Sequence, residues 1–237
     1  MRLCMFHPVD HLMERGWVGR VDGDRVIQLA AQTLQSFFTG GGSAREHAVY
    51  PLAGVRLLAP VLHPPSVRVF DDQRSFAFAN PAAIVGPHHE IGRREGARNS
   101  LLRRRLALFA RVAGVIGGDG DVEGFTAFAD WRDPEVARPK DRDFALGLGP
   151  VVVTPDELEP MRLEAVVRVD GVARLRARLA RFDWGAARDL AADGTVLRPG
   201  DLLAGPALGV VEDLSPGSAV ELEVEGIGVL DHTVLGD

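Results

Sequence analysis

The sequence predicts an α+β fold that is mainly β. Runs rich in β-branched and aromatic residues are separated by turn dipeptides at Asp22-Gly23, Asp119-Gly120 and Asp170-Gly171, a strong short-range hairpin signal. Val220, Leu222 and Val224 alternate with Glu221, Glu223 and Glu225, the period-two pattern of a half-buried strand. Helical spacing is confined to short stretches.

The elements follow in order. WVGRV and DRVIQL flank Asp22-Gly23 and form a hairpin. Leu34, Phe37 and Phe38 then mark one face of a modest helix between residues 29 and 38, ended by Gly40-Gly41-Gly42. A strand at Val55 to Leu58 ends at Pro60, so residues 1–60 read as a small β-rich domain and 61–237 as a larger one. DDQRSFAFA, residues 71–79, reads as a short loop. Two long buried strands lie within Leu106 to Trp131, turning at Asp119-Gly120. Glu164 to Val169 and Val172 to Leu179 form another hairpin, with Arg174, Arg176 and Arg178 on its wet face. A helix through Leu175, Leu179 and Phe182 is the rival there, and the turn dipeptide favours the strand. Asp183 is placed to cap a short helix, Trp184–Ala192, with Gly194 beyond its end.

Composition narrows the function. Apolar residues make up 46% of the 237 residues, ample for a core. A net charge of −6 and pI near 5.7 argue against a nucleic-acid backbone as main partner. No apolar run reaches membrane-spanning length, and residues 1–9 lack the basic-then-apolar pattern of a signal peptide, so a cytoplasmic protein without membrane association is expected. Cys4, the single cysteine, allows neither an intrachain disulfide nor a thiolate zinc site and reads as a strand residue.

Two charges interrupt the long apolar strands, Arg111 in the first and Asp130 in the second. A charge buried alone is costly, so each needs a partner, and the nearest candidate is the other. His88-His89-Glu90 has metal-ligating residue types, but neighbours on an extended chain point to opposite faces. Arg93, Arg94, Arg98, Arg103, Arg104 and Arg105 form a basic run that reads as a solvated loop, with a landing site for an acidic surface as the sharper alternative.

Val115-Ile116-Gly117, Asp130-Trp131, Asp143-Phe144, Leu148-Gly149-Pro150, Thr154-Pro155-Asp156-Glu157-Leu158 and Leu197-Arg198-Pro199-Gly200-Asp201 resemble the framework motifs of the fumarylacetoacetate hydrolase family. Pro64-Pro65-Ser66-Val67-Arg68 and Asn80-Pro81-Ala82-Ala83-Ile84-Val85-Gly86-Pro87 continue the likeness. The resemblance implies a mixed β-sheet roll with a small N-terminal β domain. It also implies a Mg²⁺ or Mn²⁺ ion held by carboxylates, and hydrolysis, decarboxylation or isomerisation of oxo-acids. At the positions matching the metal ligands stand Val69, Phe109, Arg111 and Asp130, one carboxylate of four. Asp71 lies two residues past Val69, on the same strand face, and a register shift would offer it. The lysine that holds substrate oxygen falls on Arg142, with Lys140 two positions early, and the Gly-Thr of the carboxylate lining reads Gly205-Pro206.

Two functions follow as expectations, both without a metal cofactor. The first is a non-catalytic homologue, structural or regulatory, working as a homodimer or paired with a related chain. The alternative is a repurposed metal-independent hydrolase, lyase or isomerase acting on an anionic β-dicarbonyl or oxo-acid. In it Arg142, Lys140 and Arg111 hold the anion and Asp130 is the base.

Overall fold

The computed structural model describes residues 1–92, 105–159, 163–179 and 181–235. β1 (Arg2–Pro8), β2 (Trp17–Asp22) and β3 (Arg25–Leu29) form an antiparallel meander. Asp22 pairs with Arg25, so Gly23 and Asp24 make the turn, with Gly23 at φ 60°, where a side chain is disfavoured. α1 (Leu34–Thr39) is shorter than the expected stretch because Thr33 caps it in a reciprocal box with Ser36. It buries Leu34, Phe37 and Phe38 and ends at Gly40. β4 (Glu46–Pro51) pairs with β3, and β5 (Val55–Leu58) returns to β1.

β6 (Val67–Phe70) and β7 (Phe76–Ala79) form a hairpin where the sequence reads as a loop. Phe76 and Phe78 alternate on a short edge strand, and the Asp72 carboxylate accepts the Arg74 and Ser75 amides at 2.7 and 3.1 Å, closing the turn. β8 (Ile84–Val85) and β9 (His89–Ile91) are short parallel additions to the two sheets. β10 (Leu106–Ile116) and β11 (Val122–Arg132) are the long hairpin, and β12 (Leu146–Val153) pairs with β11. β13 (Glu164–Val169) and β14 (Val172–Arg178) confirm the second hairpin, with Arg174, Arg176 and Arg178 exposed. Asp170 and Gly171 take φ 51° and 78°, as a tight two-residue hairpin turn requires. α2 (Trp184–Ala192) begins where Asp183 accepts the Ala186 amide. β15 (Leu202–Ala204), β16 (Gly209–Leu214), β17 (Ala219–Val224) and β18 (Gly228–Val234) close the chain.

Among the described residues these strands make two mixed sheets. The larger runs β4-β3-β2-β1-β12-β11-β10-β15-β6-β7, with β5, β8 and β16 alongside. The N-terminal strands join it through β1 against β12, Arg2 facing Val153 and Leu3 facing Val152. The smaller runs β14-β13-β17-β18-β9. Leu108, Ala110 and Val112 of β10 pack toward Val167, Leu222 and Leu230 of the smaller sheet. Ala113 and Val115 belong instead to a second core with α1, Val67, Val69 and Phe128. β10 is therefore covered on both faces, which is why it reads as an unbroken apolar run. Among the described residues no helix is long and apolar enough to cross a membrane. Cys4 lies buried in β1, where desolvation pushes its thiol up to about 12.

His232 of β18 is sealed between the sheets. Its Nδ1 accepts the Trp131 Nε1–H at 3.4 Å, and a Cβ on Gly147 would stand 2.3 Å from its ring, so this approach requires glycine. Burial drives its pKa down from 6.5 to about 4. The unfolded chain thus takes up a proton between those values that the folded chain refuses. Stability is complete above pH 6.5 and drains away as pH falls toward 4, by about 3 kcal/mol in all. Urea unfolding at pH 7 and pH 4 should show this loss, and His232→Phe should remove that part of the pH dependence. An unchanged pH profile in the variant would refute the assignment.

Candidate functional site

The site grows from the register of β10 against β11. Phe109 faces Asp130 and Arg111 faces Phe128, so Arg111 and Asp130 are diagonal neighbours, within reach of a long side chain. Both are buried, Arg111 at 1% and Asp130 at 0% exposure. Arg111 Nε donates to Asp130 Oδ2 at 3.2 Å. Its Nη1 donates to the carbonyls of Phe70 at 2.8 Å and Gly205 at 2.9 Å, and its Nη2 to Asp71 Oδ1 at 3.1 Å. One guanidinium thereby ties β10 to β11, to the end of β6 and to the chain leaving β15.

Asp130 gathers two further arginines. Arg132 Nη2 donates to the same Oδ2 at 2.9 Å, and Arg142 Nη1 stands 3.9 Å from it. The Arg132 guanidinium carbon also sits over the half-buried Phe109 ring, 3.9 Å from its centroid. Asp130 Oδ1 and Arg132 Nε are buried and have no hydrogen-bond partner among the described residues. Burial, with Arg132 and Arg111 nearby, lowers the Arg142 pKa against the opposing pull of Asp130. An arginine so lowered still carries its charge at neutral pH. Partial burial raises the Asp71 pKa, but the hydrogen bond and charge of Arg111, with Arg132 and Arg142 beyond, outweigh it and hold the carboxyl below its usual range.

The remaining expected residues sort cleanly. Val69 is buried at 1% and packs with Val67 and Ala113. Asp71 does lie two residues on, but its carboxylate is spent on Arg111. Lys140 does not join the cluster: it is exposed and pairs with Asp143. Lys140–Arg142 forms one 3₁₀ turn, in which residues two apart point in different directions, so Arg142 turns inward and Lys140 outward. His88 pairs with Asp231 at 2.6 Å instead of converging with Glu90, which is exposed. Among the described residues no group of three or more His, Cys, Asp or Glu is arranged to hold a metal ion. The basic run lies outside the described residues except for Arg105, which is exposed and pairs with Asp213 at 3.5 Å.

Arg132 escaped sequence reasoning, although it stands two residues after Asp130 and therefore on the same strand face. A second unforeseen feature pins the β6–β7 hairpin. The Gln73 amide donates to the Asp183 carbonyl at 3.0 Å and accepts the Asp183 N–H at 2.8 Å. The turn beside the cluster is thus clasped to the cap of α2.

A family model described as fumarylacetoacetate (FAA) hydrolase C-terminal matches residues 63–235. Protein Rv2993c of Mycobacterium tuberculosis is 28% identical over 214 residues, covering 78% of this chain and 81% of that one. Uncharacterized protein MJ1656 of Methanocaldococcus jannaschii is 30% identical over 105 residues, so the match spans only 44% of each chain. The crystal structure of maleylpyruvate hydrolase from Sphingobium sp. SYK-6 superposes with a TM-score of 0.81 at 20% identity, over 100% of both chains. That likeness carries the fold; in this chain Val115-Ile116, Asp130-Trp131 and Leu148-Gly149-Pro150 lie on β10, β11 and β12. With a family match across most of its length, the chain belongs to the fumarylacetoacetate hydrolase family.

Proposed function

We propose that this chain is a non-catalytic member of the family, structural or regulatory, in which an arginine–carboxylate cluster stands in place of a metal centre. The observation that carries this reading is the Arg111 guanidinium, buried at one of the positions matched to metal ligands and satisfied by four oxygens. A hard divalent cation needs about six oxygen ligands. Val69 and Phe109 offer none from their side chains, and Asp130 has three guanidiniums within 4 Å, at 3.2, 2.9 and 3.9 Å. Adding a divalent ion would put a second positive charge where the first already sits. The residues do not fit Mg²⁺ or Mn²⁺.

A second reading, metal-independent turnover of an anionic oxo-acid, has one observation in its favour. Asp130 keeps Oδ1 unpartnered, and Arg142 stands 3.9 Å from Oδ2 of the same carboxylate, which brings a base and an oxyanion holder to one group. Two guanidiniums that already donate to its Oδ2 oppose it, because they hold the carboxylate as an ion-pair partner.

Elemental analysis of the purified protein should find no stoichiometric Mg²⁺, Mn²⁺ or Ca²⁺, and one tightly bound divalent ion per chain would overturn the reading. Breaking a buried pair costs roughly 3–5 kcal/mol, so Arg111→Ala and Asp130→Ala should each lower unfolding stability by about that much. Asp130→Ala should fall at the upper end, since it leaves three guanidiniums facing one another. A double-mutant cycle between them should show coupling, and none would remove the ion pair from the account. If Asp130 were instead the base of a surviving reaction, Asp130→Asn would abolish oxo-acid turnover while leaving stability nearly intact. The proposed role also calls for pairing with a second copy or a related chain. Light scattering should show a dimer, and a strict monomer at all concentrations with no related chain recovered in pull-downs would count against it.

A further inference from the structure

A cavity of about 300 Å³ lies between α1, the segment leading into β6 and the segment leading into β15. Burial grades its lining. Met5 and Pro60 are buried and make the floor, while Leu62, Gln35 and Pro199 are half-buried and make the walls. Arg15 and His63 are exposed at the mouth. No residue of the arginine cluster lines it. Pro65, also in the lining, stands before β6, and at about 3.3 Å per residue the chain runs roughly 16 Å from there to Phe70 and Arg111. The cavity is built from stiff parts. Pro60, Pro65 and Pro199 carry closed rings with no rotamer freedom to lose when something packs on them. The Gln35 amide donates to the His63 carbonyl at 3.4 Å, tying α1 to the segment before β6. Gly200 takes φ 88°, and a Cβ there would stand 2.5 Å from the Gln35 side chain, so glycine lets that side chain lie along the wall.

The lining carries charge of one sign only. No aspartate or glutamate lines the cavity, although the chain has a net charge of −6. Arg15 has no acidic partner among the described residues. A hollow that is mostly apolar, with a few polar groups at one end, is the usual form of a small-molecule site. We propose that this cavity binds a small carboxylic acid with an apolar body, such as an aryl or branched-chain acid, with its carboxylate at Arg15 and its body on Met5, Pro60 and Leu62. The planar fork of a guanidinium matches the two oxygens of a carboxylate. The body takes apolar surface of the floor and walls out of water. This site is independent of how the cluster is read, since it stands whether or not a metal binds at Asp130. It also sits at the starts of β6 and β15, parallel strands whose far ends lead to the two carbonyls that Arg111 holds. A ligand here touches the scaffold of the cluster without entering it.

Titration of the full chain with phenylacetate, phenylacetamide and acetate tests this. The readout is the Met5 methyl resonance of protein labelled at its four methionines, assigned with Met5→Leu. Phenylacetate should move the Met5 signal and saturate at one equivalent. Phenylacetamide, which keeps the body and loses the charge, should bind about two- to fivefold more weakly, the worth of an exposed ion pair. Acetate, the head without the body, should leave the signal in place. Arg15→Glu should invert the preference, so that the amide binds more tightly than the acid. Leu62→Trp should fill the hollow and abolish both shifts; if it fails to fold, Arg15→Glu decides, because Arg15 is exposed and its replacement leaves the core intact. An acid preference that survives Arg15→Glu, or equal binding of acid and amide to the unaltered chain, overturns the choice of an acid. Calorimetric binding of phenylacetate with an unmoved Met5 signal places the acid elsewhere and overturns the site. A Met5 signal that no probe moves overturns it as well, and leaves the reading of the cluster untouched.

Discussion

The burial of Arg111 is the constraint on which this site depends. A guanidinium at 1% exposure survives only if its donors are answered, and here the answers come from three separate stretches of chain, Phe70-Asp71, Asp130 and Gly205. Asp130 supplies the charge, while Phe70 and Gly205 supply carbonyls that face inward because β6 and β15 run beside β10. Removing any one leaves a polar group in a space water barely reaches. The cluster therefore locks the strand register as well as filling the centre of the site, since a one-residue slip would turn Asp130 to the other face.

That role suits the position of β10 and β11. They are the long central hairpin, paired over nearly their whole length and covered by cores on both faces. On one face the strands pack against the smaller sheet through Leu108, Ala110 and Val112; the opposite face holds Ala113, Val115 and Phe128, and with them the arginine cluster. A hydrophobic surround raises the cost of an unpaired charge and strengthens each pairing that is made. Phe109 contributes twice, as the residue opposite Asp130 and as the ring on which Arg132 rests.

Membership of the fumarylacetoacetate hydrolase family describes the scaffold and leaves the chemistry to the side chains it carries. The turns, caps and alternating strands are in place, and on the proposed reading Val69, Phe109 and Arg111 stand where metal ligands would be. Tight hairpins such as Asp170-Gly171 and a capped helix at Asp183 need only local residues, so they persist whatever the site does. The short β6–β7 hairpin is clasped by Gln73 to Asp183 beside the cluster.

The amino-acid sequence by itself determined the long strands, the hairpins at Asp22-Gly23, Asp119-Gly120 and Asp170-Gly171, the bounds of α2 and the pairing of Arg111 with Asp130. These follow from short-range rules: turn dipeptides, period-two alternation, a side chain placed to cap a helix, and the cost of burying a lone charge. Even the loop that proved to be the β6–β7 hairpin carried its signal in Phe76 and Phe78. Only the tertiary structure decided which cations share Asp130. Lys140 and Arg142 are indistinguishable as charges along the chain, and the turn of a 3₁₀ helix sends one to solvent and the other inward. Phe70 and Gly205 as acceptors were equally hidden, because a backbone carbonyl has no residue type to betray it. Its partner lies 41 residues away for Phe70 and 94 for Gly205, and only the strand order of the sheet brings them to one guanidinium.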